Sequence, residues 1–186
     1  MRVIGGKAKG YRLSSPKGLG VRPTSDRVRE AIFSSLQRNV PDAVVLDLFA
    51  GAGTLGIEAL SRYALKAYFV DRSAVQIKLI KENLEKTHLA HQAILICLDA
   101  EKAIRHLAGK GIQVGIVFMD PPYAAGLIVK TLEQIDAAGI LLPGGFAVVE
   151  FSIDEELPKQ IGGIHQTDVK RYGSTGIAYY RRTEES

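Results

Sequence analysis

Asp120, Pro121, Pro122 and Tyr123 close a hydrophobic run, Val114 to Met119, and their types suit one kind of chemistry. A carboxylate and a neighbouring backbone carbonyl make a pair of acceptors. Such a pair can take both N–H bonds of an amine attached to a flat heteroaromatic ring. That amine is a poor nucleophile, because its lone pair is delocalised into the ring. Two acceptors on its hydrogens draw the nitrogen toward tetrahedral geometry and aim the lone pair at an electrophile such as a methyl group. Proline's fixed φ sets the carbonyl in place before reaction. Tyr123 adds a face on which a base can stack and an electron-rich ring for a nearby cation. A plain Pro-Pro turn with a capping aspartate would account for the prolines and leave the tyrosine idle.

A second group sits in LDLFAGAGTLGIEAL, where Gly51, Gly53 and Gly56 spell G-x-G-x-x-G between an apolar run and a helical pattern. Glycines allow a sharp turn and close backbone approach, and a helix opening near Thr54 offers free N–H groups. Asp71, ending the next apolar run, could accept from both hydroxyls of a ribose. The pattern fits several nucleotide-like ligands, and equally a tight turn with none. Two features favour S-adenosylmethionine over NAD. Asp47, four residues before Gly51, suits an ammonium group and would repel a pyrophosphate. The ends of successive runs are also acidic, at Asp71, Asp99, Asp120 and, nearly, Glu150. In an open parallel sheet those ends form the rim where ligands bind. Asp99 with Ala100 could reach an adenine amine, although a helix N-cap explains Asp99 equally well.

Other chemistries find less support. Methylation at a pyrimidine C5 calls for a cysteine nucleophile, and the single cysteine, Cys97, lies in the apolar run AILICL. That placement predicts a core residue, and one cysteine leaves no internal disulfide. His88, His91, His106 and His165 show no ligand spacing and read as surface or loop residues, so no metal is expected.

The elements that must position these residues alternate. Apolar runs at 44–49, 67–70, 93–98, 114–119 and 145–151 are separated by stretches of helical period. In SAVQIKLIKENLEK, Val75 and Leu79 mark the predicted apolar side. Strands joined by helical crossovers imply a parallel sheet covered on both faces. At the end, 167–172 and 176–182 are β-prone and joined by Gly-Ser-Thr-Gly, which predicts an antiparallel hairpin. The expectation is an α/β, Rossmann-like fold with a seven-stranded, mostly parallel sheet. Upstream, TSDRVREAIFSSL reads as a helix capped by Thr24, Ser25 or Asp26. Its apolar stripe is Val28, Ala31, Ile32 and Leu36, and Arg27 and Arg29 fall off that stripe.

Residues 1–30 hold eight Lys/Arg against two acids, for +6, while the remainder carries −2 of the overall +4. Such asymmetry suggests a polyanionic partner. The chain divides accordingly into a basic arm and helix, 1–40, and a catalytic domain, 41–186. No run approaches the roughly 18 apolar residues of a membrane span. The opening MRVIGGKAKGYRL is too polar for a signal peptide, so a cytoplasmic protein is expected.

Taken together, the glycine loop and the Asp-Pro-Pro-Tyr corner make the sequence resemble class I S-adenosylmethionine-dependent methyltransferases acting on exocyclic amines. It is most similar to the RsmD family, enzymes that methylate N2 of a guanine in 16S ribosomal RNA. The similarity runs nearly end to end, through MRVIGGKAKGYRL, GVRPTSDRVREAIFSSL, VLDLFAGAGTLGIEALSR, FMDPPY and RYGSTGIAYYR. The resemblance implies cofactor contacts from Asp47, Phe49, Ala50, Gly51, Gly53, Thr54, Asp71, Arg72, Asp99 and Ala100. It implies that Asp120, Pro121, Pro122 and Tyr123 hold the guanine. Asp71 stands where many relatives have Glu, and either carboxylate can hold a ribose. The implied partner is 16S ribosomal RNA in a partly assembled small subunit, met by a monomer. Arg2, Lys7, Lys9, Arg12, Arg22, Arg27 and Arg29 are the expected RNA contacts. Three other readings stay open: adenine-N6 methylation of DNA or RNA, an NAD-linked oxidoreductase, and a non-catalytic RNA-binding assembly factor.

Overall fold

A computed structural model of the chain describes residues 1–15, 25–122 and 126–183. Tyr123 and Arg22 lie outside the described residues. Among those described, eight strands form one sheet in the order β3-β2-β1-β4-β5-β8-β7-β6. Strands β1 (Val44–Asp47), β2 (Lys66–Val70), β3 (Ala93–Ile96), β4 (Val114–Met119) and β5 (Leu141–Ser152) are parallel. Strands β7 (Ile164–Tyr172) and β8 (Thr175–Arg182) form the antiparallel hairpin beside β5. The strand missing from the expected seven is β6, Gln160–Ile161, too short for any alternation to register. The hairpin turn is also tighter than the sequence suggested. Tyr172 pairs with Thr175, and Gly173 turns the chain at φ +63°, which the first position of a II′ turn requires.

Alternation along each strand builds two cores. Val45, Phe69, Ile116, Phe118, Val148 and Tyr179 face one side, under α1 (Asp26–Ser35), α2 (Thr54–Ser61) and α3 (Ala74–Lys86). Leu46, Tyr68, Val117, Met119, Val149 and Tyr180 face the other, under α4 (Ala100–Gly109) and α5 (Leu127–Ala138). Helix α1 is capped by the Ser25 hydroxyl, which accepts from Val28 N–H. Helix α3 buries Ile80, Asn83 and Leu84, an i, i+3, i+4 stripe, whereas Val75 is exposed. The polar Asn83 breaks the apolar pattern, and that is why the sequence misplaced the inner face. Its side chain accepts from Ser14 N–H and donates to the Ser14 and Ala52 carbonyls.

Residues 1–14 do not stand off as an arm. Val3, Ala8 and Leu13 belong to the same core as β1 and β2. Buried Glu58 on α2 accepts the Ile4 and Gly5 N–H groups at 2.8 Å each and holds Arg62 Nε at 2.7 Å. Ser61 takes the Ala8 N–H and donates to the Gly5 carbonyl. The N-terminal segment is therefore fastened along the helix that begins at the glycine loop. No helix among the described residues is long and apolar enough to cross a membrane.

Candidate active site

Strand order reverses between β1 and β4, the place where an open sheet leaves a crevice at its C-terminal edge. Asp47 ends β1 opposite Phe118 of β4, and Asp120 follows β4 directly. A cleft of about 720 Å³ opens there. Its walls include Asp47, Gly51, Asp71, Asp99, Asp120 and Glu150, which come from the ends of all five parallel strands and the loops beyond them. Phe49, Ala50, Thr54, Arg72, Ala100, Pro121 and Pro122 line it too. Every described residue expected to hold cofactor or base is thus in one crevice, apart from Gly53, whose position beneath the loop is set by packing.

The three glycines separate by function. A Cβ on Gly51 would meet nothing within 4 Å, and its φ is +54°, so that residue presents open backbone to the cleft. Gly53, at φ +77°, is the left-handed cap of α2, with Ile80 and Phe69 about its missing Cβ. Gly56 faces Phe69, whose ring would lie 2.3 Å from an added Cβ, so it allows helix and sheet to touch. Two aspartates shape this loop. Asp71 Oδ2 accepts from Gly51 N–H at 3.0 Å and its Oδ1 from Ser73 N–H at 2.8 Å. Asp47 Oδ2 accepts from Gly56 N–H at 2.9 Å, which ties the end of β1 to the first turn of α2.

The rim concentrates negative charge under partial desolvation. Burial raises the Asp47 pKa to about 7 against the lowering effect of the Gly56 N–H, and Asp71 adds repulsion. Asp120 is also pushed well above the usual carboxylate range, by burial first and then by Glu150 and Asp47. Asp99 moves the other way, because it caps α4 and accepts from Lys102 N–H. The cap reading of Asp99 and its place on the cleft wall therefore hold together. Among the described residues no group of His, Cys, Asp and Glu could hold a metal ion.

Residues that the sequence did not single out complete the walls. Gln76, in the first turn of α3, lines the cleft with a buried Oε1 that has no hydrogen-bond partner among the described residues. Glu101 and Lys130 bridge α4 to α5 at 3.2 Å beside it. Only their placement after strand ends could have marked them in advance.

Two expectations fail. Cys97 is exposed, because β3 stops at Ile96 and is the sheet's outer strand. Arg29 is fully buried and cannot reach a partner molecule. Its Nη2 donates to the Arg2 carbonyl and to Asp26 Oδ1, both at 2.7 Å, which pins α1 to the N-terminal segment. The remaining basic residues divide. Arg2, Lys9, Arg12 and Arg27 are exposed, and Lys7 is fastened to Gln92 at 2.6 Å. Gln92 precedes β3, so Lys7 lies at the opposite end of the sheet from the cleft.

Residues 1–181 match the family described as Conserved hypothetical protein 95. Ribosomal RNA small subunit methyltransferase D of Escherichia coli (strain K12) is 40% identical over 159 residues, 85% of this chain and 78% of that protein. The chain belongs to the RsmD family. YlbH of Bacillus subtilis (strain 168) is 39% identical over 182 residues, 98% of this chain and 99% of its own length. The solved structure of YhhF from Escherichia coli superposes with a TM-score of 0.88 at 34% identity, covering 100% of this chain and 99% of that one. This RsmD-family chain therefore shares sequence with these two relatives over 78% and 99% of their lengths and backbone with YhhF over 99%.

Proposed function

We propose that the chain transfers a methyl group from S-adenosylmethionine to the N2 amine of a guanine in small-subunit (16S) ribosomal RNA. The observation that carries this reading is one crevice holding both Asp120-Pro121-Pro122 and the Asp47–Gly51–Asp71 loop. The names of its relatives, such as ribosomal RNA small subunit methyltransferase D, support the substrate class.

The residues present fit the cofactor. Asp47 and Asp120, short of counter-charge in their desolvated rim, suit an ammonium and a sulfonium. Asp71 retains lone pairs for ribose hydroxyls after its two backbone contacts. The unpartnered Gln76 Oε1 is a further acceptor for a ligand's donor. When bound, S-adenosylmethionine supplies an electrophilic methyl group. Asp120 and the adjoining Pro121 carbonyl accept the two N–H bonds of the guanine amine and orient its lone pair. Tyr123 supplies a stacking face. Once the nitrogen has gained a methyl it sheds a proton, and Asp120, with its raised affinity for protons, takes it. The base reaches the corner unstacked, as chemistry on a base edge demands.

The target is 16S ribosomal RNA in a partly assembled subunit, met in the cytoplasm by a monomer whose basic N-terminal extension, 1–40, contributes RNA contacts to the 41–186 catalytic unit. Mass spectrometry of 16S ribosomal RNA from cells with and without the gene tests the reading. One N2-methylguanine should disappear with the gene. An unchanged set of methylguanines would reject it, and loss of a methyladenine would move the chemistry to adenine N6.

A further inference from the structure

Beside the catalytic cleft lies a second hollow of about 320 Å³, bounded by Ser25, Arg27, Glu150, Arg171, Tyr172 and Thr175. Its walls come from distant parts of the chain. Ser25 and Arg27 open α1, while Arg171, Tyr172 and Thr175 form the tip of the β7–β8 hairpin. The two clefts share Glu150, which also raises the Asp120 pKa by repulsion. The two clefts therefore adjoin at the residue next to the proposed reacting centre.

Charge distinguishes them. The catalytic cleft sets Asp47, Asp71, Asp99, Asp120 and Glu150 against Arg72 and Lys130, an acidic balance that disfavours a phosphodiester, whereas the neighbouring hollow sets Glu150 alone against Arg27 and Arg171. An RNA chain that delivers a base to Asp120 must seat its backbone elsewhere and close by. The neighbouring hollow offers two exposed guanidinium groups, from Arg27 and Arg171, and the ring of half-buried Tyr172. Guanidinium groups bind phosphate through a planar fork, and an aromatic ring stacks any base. The volume falls at the lower end of ligand pockets, roughly 300–1,000 Å³, which suits one nucleotide and no more. Tyr172 is held in place because it packs against the core that contains Phe118 and Tyr179. Arg171 pairs in register with Gly176, itself pressed against Phe151, so the hairpin tip is fixed by packing.

We infer that this hollow is a subsite for the nucleotide adjoining the methylated guanine, with its phosphate between Arg27 and Arg171 and its base against Tyr172. The inference rests on the methyl-transfer reading above and adds the site that would grip the flanking backbone.

The test uses the full chain, small-subunit particles lacking the modification, and S-adenosylmethionine. Arg27→Gln and Arg171→Gln should each raise KM for the particle about tenfold, with kcat and cofactor affinity little changed. In RNA-binding titrations, each should reduce the salt slope by about 0.7, the loss of one phosphate contact on a single strand. Tyr172→Ala should raise KM without altering the slope, and Tyr172→Phe should restore it. Lys78→Gln, on the outer face of α3, serves as the matched surface control. Unaltered KM and slopes in both arginine variants, alongside active unaltered protein, would overturn the subsite and leave methyl transfer standing. No transfer by the unaltered protein to any particle would overturn the methyl-transfer reading and this site with it.

Discussion

Asp47 serves two purposes that pull against each other. It fastens the first turn of α2 and holds its carboxyl in a desolvated rim where burial resists ionisation. Its folded pKa of about 7 lies above the ordinary 3.8. The stability it allows is therefore complete below pH 3.8 and is lost as pH rises through about 7. Asp47→Asn keeps an oxygen for Gly56 N–H and removes the buried charge. At pH 8, in the absence of cofactor, that variant should be more stable by roughly 2–4 kcal/mol in denaturant titrations. It should also bind S-adenosylmethionine at least tenfold more weakly, and retained affinity would remove Asp47 from the cofactor site. A bound cation favours the ionised carboxylates, so binding at pH 6.5 should release protons. Calorimetry in two buffers of different ionisation enthalpy would show this, and equal enthalpies would contradict it. For Asp120→Ala the expectation is a collapse of kcat by 10²-fold or more with a modest change in RNA affinity; a pure rise in KM would contradict a role in the chemical step. At this scale the sequence disclosed the acids and glycines, because each ends a strand or opens a helix. It hid the burial of Arg29, which lies on the same face as Ile32, Phe33 and Leu36 but carries a charge that argued against the core, and the buried tie made by Asn83.

At the scale of elements, helix α2 joins the cofactor loop to the N-terminal segment. Glu58 is the fastening, with three donors on one buried carboxylate. Glu58→Ala leaves Arg62 Nε and two backbone N–H groups without their acceptor, with only the Arg62–Glu30 pair remaining, and should cost about 3–5 kcal/mol, measured by denaturant unfolding. Faster protection loss at Ile4 and Gly5 in hydrogen exchange should accompany it. Intact protection there would mean that the apolar contacts of Val3 and Ala8 alone hold the segment. Parallel strands were legible as continuous apolar runs between helical stretches, and the hairpin as β-prone pieces around glycines. Two features were not. The two-residue β6 is too short to carry a pattern. The outer position of β3, which leaves Cys97 exposed, follows from strand order, and strand order is set by crossovers that local sequence does not encode.

For the whole molecule, the first thirty residues carry +6, and their described parts, 1–15 and 25–30, are built into the body through Val3, Ala8, Leu13 and Val28. Lys7 points the charge of that segment away from the cleft, while Arg27 brings it to the edge. RNA affinity should consequently fall steeply with salt, and charge reversal at Arg27 should flatten the dependence more than reversal at Lys7. Equal effects in binding titrations would point to diffuse attraction by the whole basic segment. One hydrophobic core holds residues from both sides of the charge boundary, Val3 and Leu13 together with Val45 and Phe69.

The hairpin tip at Tyr172–Thr175 turns on Gly173 and Ser174, while the donor-holding loops spring from the parallel half of the sheet. On the subsite proposed above, RNA grip and methyl transfer draw on different loops that meet at Glu150. Grafting a different turn onto β7 and β8 offers a route to retargeting, in which a new RNA context is selected without disturbing the methyl-donor pocket.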